Sequence, residues 1–293
     1  MQYDVVIIGS GVAGLTASIY TARAGKSVLI IEEDVLGGTT ATLENIQNYP
    51  GFTKISGFEL IQNIYNQALD FGVNFEYLSI KLIDFDKNVI ITDNNTIKYT
   101  SLIIASGTSY KRLGVENEDK YRFKGLSYCA ICDGMLYKNK KIAIVTSGDS
   151  GNDAIEYLSN ITNNISIIDL SDKCNNKVFP VYRNSKITKL LGDNLLLGVE
   201  FVSNNSKHTI NFDGIFISLG KETNLSLYKD YLDNDGNFLI TNENMHTNIP
   251  NVFVAGDIRK KTLRQIVTAC SDGAIAGTEA VQFVSTKNKN AIK

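Results

Sequence analysis

The chain has 293 residues, 43% of them hydrophobic and 20% charged, the balance of a globular protein with room for two domains of ordinary size. Its formal net charge of -2 argues against nucleic acid as a main partner, because that role calls for a basic face. No apolar run approaches the roughly 20 residues of a membrane-spanning helix, and the opening YDVVIIG has no basic leader or cleavage site, so a cytoplasmic location is expected.

In chain order, YDVVII is an apolar strand, GSGVAG a glycine turn, AGLTASIYTARAG a helix and SVLIIEE a second buried strand. This βαβ pattern implies parallel strands in a doubly wound sheet. Phe58, Ile61, Ile64, Tyr65, Ala68 and Leu69 recur at helical spacing, and residues 73–105 alternate like an antiparallel meander ending in SLIIASG. From residue 140 the βαβ pattern repeats as KIAIV, a glycine turn, the helix DAIEYLSN and the strand ISIID. GIFISLG then mirrors SLIIASG, and NVFVAGD leads into a final helix from about Thr262. The expected fold is α/β with two Rossmann-like domains, the second inserted in the first. Residues 1–110 and 236–293 are expected to form one domain and residues 111–235 the other.

Gly9, Gly11 and Gly14 stand directly between a strand and a helix. A tight turn, close backbone approach to a pyrophosphate and helix-on-strand packing each need one of them. The N-terminus of the helix would face the phosphates with free N–H groups and its positive dipole end. Glu32 closes the second strand, where a carboxylate can bind a ribose diol. Gly256 and Asp257 end a later apolar strand, VFVAGD, in a way that is similar to two-dinucleotide flavoenzymes, so FAD is the expected ligand.

The four cysteines are Cys129, Cys132, Cys174 and Cys270, and only the first two are close in sequence. A structural disulfide framework is therefore not expected. The CxxC of YCAICDG leaves three readings open. It is half of a zinc site without its other half, since Cys174, Cys270, His208 and His246 are isolated; a pair of buried structural thiols; or a redox dithiol whose spacing at a helix start permits reversible bonding. Asp133 beside it either manages the proton of thiolate formation or caps a helix.

Six ordered stretches carry a resemblance: GSGVAGLTASIY, GGTTATLENIQNYPGF, LIIASGTSYKRLGV, YCAICDG, VFVAGDI and RQIVTACSDGAIAG. Over nearly its whole length the chain resembles the low-molecular-weight flavin thioredoxin reductase family. That resemblance implies an FAD domain, an inserted NADPH-type domain bearing the CxxC, and a homodimer. It implies that Cys132 exchanges electrons with the flavin, that Cys129 attacks the disulfide of thioredoxin, and that Asp133 is the acid. Gly37, Gly38, Asn48, Gly107, Gln265 and Ile266 match positions that contact the flavin. Thr39 departs from the family, which usually has Gln there.

The second glycine turn, IAIVTSGDSG, departs further. Thr146 and Ser147 replace two glycines, Gly148 remains, and Gly151 fills the place of the usual Ala. A β-branched residue at the first position crowds the turn beneath a pyrophosphate. NADPH-using relatives follow this unit with arginines that grip the 2′-phosphate, whereas here the strand runs into Asp169, Leu170, Ser171 and Asp172. Two carboxylates and no arginine argue against NADPH. Asp169 stands as far from Thr146 as Glu32 from Gly9, so NADH is harder to exclude.

Ferredoxin-dependent flavin thioredoxin reductases, which lack the NADPH motifs, are the group this chain resembles best. Reduced ferredoxin is therefore the expected electron donor and thioredoxin the acceptor, with the domains moving relative to one another. Ferredoxins are usually acidic, so Arg259, Lys260, Lys261 and Arg264, or Lys138, Lys140 and Lys141, are candidate docking clusters, the alternative for each being a solvated charged face. The alternatives are an NADH-dependent thioredoxin or peroxiredoxin reductase and a non-catalytic FAD-bound redox sensor.

Overall fold

A computed structural model describes residues 1–291, so the last two residues of the expected 236–293 segment lie outside the described residues. The chain divides into two compact units, one comprising Met1–Ser109 and the chain from Thr223 onward, the other Tyr110–Glu222. The second crossing corrects the expected boundary at 235. Leu225, Tyr228 and Leu232, in the polar stretch assigned to the inserted domain, are buried beside Leu239, Val252 and Ile258 of the first unit. Their apolar spacing fills that core, and burying large side chains there outweighs the polar look of the segment.

The first unit begins with β1 (Gln2–Ile8), α1 (Val12–Arg23) and β2 (Val28–Glu32). β1 and β2 pair in parallel, Val5 opposite Val28 through Ile8 opposite Ile31. Both are nearly continuous apolar runs because parallel strands are covered on both faces. A short α2 (Gly38–Ala41) precedes α3 (Gly57–Asp70), whose first turn is capped by the Ser56 hydroxyl accepting from Glu59 N. α3 turns Leu60, Ile61 and Ala68 inward, while Phe58 and Leu69 of the expected stripe are exposed.

The sheet continues with β3 (Asn74–Tyr77), β4 (Ile80–Asp84), β5 (Val89–Thr92) and β6 (Thr96–Ile104). The expected meander holds for β4, β5 and β6, but β3 pairs in parallel with β2. α3 is the reason: it carries the chain over the sheet, and a crossover helix returns a strand in the same direction. β6 pairs in parallel with β1 and with the strand Val252–Val254, which brings VFVAGD beside the first glycine loop.

The last helix, Ile266–Ala291, starts four residues later than the expected Thr262. It lies close against α1, since a Cβ on Gly273 would sit 2.2 Å from the Ala13 carbonyl oxygen and one on Gly277 2.7 Å from that of Ala17. No helix among the described residues is long and apolar enough to cross a membrane.

The second unit repeats the parallel arrangement, with strands Val181–Tyr182, Ile165–Asp169, Ile142–Thr146, Gly214–Ser218 and Leu126–Ser127 in spatial order. A three-stranded antiparallel sheet, Ser185–Gly192, Leu196–Ser203 and Ser206–Asn211, completes it.

Candidate active site

The strand Leu126–Ser127 feeds Cys129 directly into a single helical turn, Ala130–Asp133. Cys129 and Cys132 form a disulfide across a Cα separation of 5.3 Å, and the Cys129 Sγ also accepts the Cys132 backbone N–H at 3.2 Å. Cys132 is exposed and Cys129 half-buried. Among the described residues no three potential metal ligands stand together.

Asp133 is half-buried, and its Oδ2 accepts from the Ser127 hydroxyl at 2.6 Å. Burial pushes its carboxyl above the usual carboxylate range, and the Ser127 hydrogen bond opposes that shift. The capping alternative is corrected: the Asp133 side chain caps neither its own turn nor the following Gly134–Tyr137 turn.

Ser127 and the residues before the CxxC were not singled out from sequence. Tyr128, adjacent to Cys129, donates its hydroxyl to the buried Glu118, which also accepts from Leu113 N at 2.9 Å and Gly114 N at 3.0 Å. The Arg112 guanidinium pairs with Glu118 at 3.4 Å and lies 5.7 Å from the Tyr128 ring centroid. Burial raises the Tyr128 hydroxyl well above its ordinary value, and the Glu118 bond adds to the rise. Glu118, which joins Arg112 to Tyr128, lies outside the stretches that carry the resemblance, and only the fold brings these residues together.

In the first glycine loop, two glycines are required by protein packing and one is not. A Cβ on Gly9 would meet the Ala105 carbonyl oxygen at 2.5 Å, and one on Gly14 would meet the Gly9 carbonyl oxygen at 2.0 Å. A Cβ on Gly11 would have no protein atom within 4 Å. Gly11 also begins α1 without a side-chain cap, so backbone N–H groups of a 12-residue helix start at an uncovered glycine. That geometry fits the pyrophosphate of a dinucleotide.

Glu32 braces the loop by accepting Ser10 N at 2.8 Å and Ser10 Oγ at 2.6 Å, and it stays partly exposed. Gly37 packs so closely that a Cβ would lie 2.6 Å from Ile61, while Gly38 and Thr39 begin the exposed turn α2. Thr39 Oγ1 donates to the Thr108 carbonyl at 3.4 Å, next to Gly107. Asn48 Nδ2 donates to Gln265 Oε1 at 3.0 Å, just before Ile266 opens the last helix. The structure thus joins Asn48 to Gln265 across 217 positions of sequence.

The expected docking cluster around Arg259 is corrected. Arg259 and Lys261 are ion-paired to Asp272 at 3.1 and 3.0 Å, and Lys261 also lies 3.4 Å from Asp257 Oδ1. Asp272 in addition accepts the Gly256 backbone N–H at 3.1 Å, so these groups fix the Gly256–Asp257 turn from the last helix. Arg264 stacks 3.9 Å from the Phe238 ring centroid and donates to the Asp257, Lys261 and Arg259 carbonyls. Lys260 is exposed but paired with Asp235 at 3.3 Å. Interior carboxylates and carbonyls thus claim most of the charge that a docking patch would present. Lys138, Lys140 and Lys141 are exposed, as are Ile131, Met135 and Leu136 beside the disulfide.

The second loop differs from the first at its opening residue, in the cover over its middle glycine and in the start of its helix. Thr146 is fully buried, its Oγ1 donating to the Gly148 carbonyl at 3.0 Å. Gly151 makes room for it, since a Cβ there would lie 2.3 Å from Thr146 Oγ1. Gly148, the counterpart of Gly11, is covered: its Cβ would meet Lys173 Cβ at 3.0 Å and Ser171 Oγ at 3.5 Å. Its N–H is taken by Asp169 Oδ1 at 3.1 Å, and the Ser147 N–H by Ser150 Oγ at 3.2 Å. A 3₁₀ turn over Gly148–Gly151 delays the α-helix to Asn152–Ser159.

Asp169 is fully buried. It accepts Gly148 N, Ser171 N at 3.0 Å, Ser171 Oγ at 2.9 Å and Cys174 N at 2.9 Å. Burial alone would raise its carboxyl, but these bonds win and hold it below the usual value. The expectation that no arginine stands near is also corrected, because Arg183 reaches this segment. Its guanidinium donates to the Cys174 carbonyl at 2.8 Å and lies 3.8 Å from Asp172.

The family described as Pyridine nucleotide-disulphide oxidoreductase matches residues 3–273. The chain is 36% identical over 303 residues to a thioredoxin reductase of Listeria monocytogenes, covering 96% of this chain and 94% of that one. The crystal structure of thioredoxin reductase from Streptococcus pyogenes superposes with a TM-score of 0.91 at 32% identity, covering 97% of this chain and 99% of the other. A ferredoxin-flavin thioredoxin reductase from Clostridium acetobutylicum superposes with a TM-score of 0.56 at 27% identity, covering 98% and 99%. With the dithiol turn, the open glycine loop and these likenesses together, the chain belongs to the pyridine nucleotide-disulphide oxidoreductase family and is a flavin disulfide oxidoreductase with FAD as its cofactor.

Proposed function

We propose that the protein reduces the disulfide of thioredoxin through Cys129 and Cys132, working as a homodimer, with electrons reaching its FAD from reduced ferredoxin rather than from NADPH or NADH. The disulfide at the Ala130–Asp133 turn and the thioredoxin reductases it is similar to support the first part. Overall likeness does not favour ferredoxin, since the TM-score is higher for the Streptococcus enzyme than for the ferredoxin-flavin one. The second loop carries that choice: the Lys173 side chain stands where a pyrophosphate would approach Gly148. Asp169, on which an NADH reading depends, is fully buried, whereas Glu32, which like it accepts four hydrogen bonds, stays partly exposed.

Gly9, Gly11, Gly14, Glu32, Gly37, Gly38, Thr39, Asn48, Gly107, Gly256, Asp257, Gln265 and Ile266 are the residues proposed to hold FAD. When bound, FAD supplies a store that accepts single electrons and delivers pairs. Cys132 is placed on the flavin side of the exchange and Cys129 on the thioredoxin side. Cys129 as thiolate attacks one thioredoxin sulfur, and the departing thiolate takes a proton from Asp133. Cys132 then gives its proton to Asp133 and attacks Cys129 Sγ. This step closes the enzyme disulfide and releases the second thioredoxin thiolate, which takes that proton. Lys138, Lys140 and Lys141 remain as an exposed basic run for an acidic electron carrier.

Isothermal titration of the oxidised holoprotein with NADPH and with NADH tests the donor assignment. Neither nucleotide is expected to bind saturably, and low-micromolar binding of either would overturn it. A redox sensor without turnover is separated by assay: chemically reduced holoprotein that reduces no thioredoxin would favour that reading.

A further inference from the structure

We infer that Ser127 is a positioning residue that ties the proton-carrying Asp133 to the attacking Cys129. The inference rests on the proposed role of Asp133 in thiol–disulfide exchange. Ser127 is buried at the end of a strand paired with Gly214–Ser218, so its hydroxyl is held by the sheet rather than by a loop. Its Oγ accepts the Cys129 backbone N–H at 3.0 Å and donates to Asp133 Oδ2 at 2.6 Å. A hydroxyl has one proton to give, and the other acceptor in reach, the Cys129 carbonyl, is at 3.4 Å. Donation to the carboxylate therefore dominates.

After both thioredoxin thiolates have been protonated, the enzyme is left with the Cys129–Cys132 disulfide and an ionised Asp133. That is a half-buried carboxylate, and among the described residues Ser127 is the one group donating to its side chain. Tyr137 follows it in the chain, with Asp213 beyond, and Tyr157 packs from the Asn152–Ser159 helix at Gly134. No ion pair reaches Asp133 among the described residues, so no cation substitutes for the hydroxyl. Without Ser127 the carboxyl would keep its proton to higher pH and give it up less readily to the departing thiolate.

The test compares wild-type holoprotein with Ser127→Ala and Ser127→Thr. The protonated-carboxyl infrared band of Asp133, identified by its loss in Asp133→Asn, is titrated in the oxidised enzyme. The pH profile of dithiol oxidation by thioredoxin is recorded beside it. Ser127→Ala is expected to move both midpoints to higher pH and to slow oxidation about tenfold, while Ser127→Thr, which keeps a hydroxyl, retains the wild-type midpoints. An infrared midpoint unchanged in a folded, FAD-containing Ser127→Ala protein would overturn the inference. The infrared titration needs no thioredoxin, so failure of the thioredoxin reading shows separately, as absent turnover in the wild type.

Discussion

Thr146 and Gly151 form a complementary pair: the turn accepts a β-branched side chain because the neighbouring position has no Cβ. Gly151→Ala alone is expected to destabilise the protein by about 1–3 kcal/mol through overpacking against Thr146 Oγ1. Adding Thr146→Gly should recover most of that loss, so a double-mutant cycle in urea reads a coupling between them. Additive losses would show that the two positions do not share the space. At the dithiol, Cys129→Ser should abolish thioredoxin reduction while FAD content stays that of the wild type. Asp133 adds a pH signature of stability. Its carboxyl holds a proton more tightly folded than unfolded, where the ordinary value is 3.8. The stability it contributes is therefore full below that value and is lost as pH rises through the folded one. Denaturation midpoints of wild type and Asp133→Asn across that range check the sign.

The strand Ile165–Asp169 and the Ser171–Cys174 segment act together as a latch on the second loop, closed by the hydrogen bonds of one buried carboxylate. Asp169→Ala removes that acceptor and leaves N–H groups of the latch without it, at an expected cost of about 3 kcal/mol in urea denaturation. A loss below about 0.5 kcal/mol would mean that the segment does not depend on Asp169. The sign with pH is opposite to that of Asp133. The Asp169 carboxyl sits below its ordinary 3.8, so its stabilisation is present above that value and is lost as pH falls through the folded one. In the first loop the corresponding glycine, Gly11, is uncovered and its helix begins at once; in the second, a 3₁₀ turn intervenes. Two elements of the same origin in pattern thus present different surfaces to a phosphate.

At the scale of the whole chain, what was legible in the sequence was what depends on near neighbours. Gly9, Gly11 and Gly14, the CxxC and the βαβ repeats are spacings of a few residues, and the periodic apolar strands follow from burial on both faces. The second crossing was misplaced because Leu225, Tyr228 and Leu232 sit among polar residues and reveal their core only in three dimensions. The Arg259–Lys261 run read as a surface because its partner Asp272 lies a full turn into a later helix. Lys173 over Gly148 and Ser127 beneath Asp133 were likewise invisible, since neither contact has a motif. The proposed choice of electron donor rests on the covered second loop, and anaerobic reduction of the bound flavin by NADPH, NADH and reduced ferredoxin compares the donors directly. Ferredoxin alone is expected to bleach the flavin absorbance and to support thioredoxin reduction. Rapid bleaching by micromolar NADPH or NADH would contradict the proposed source of electrons.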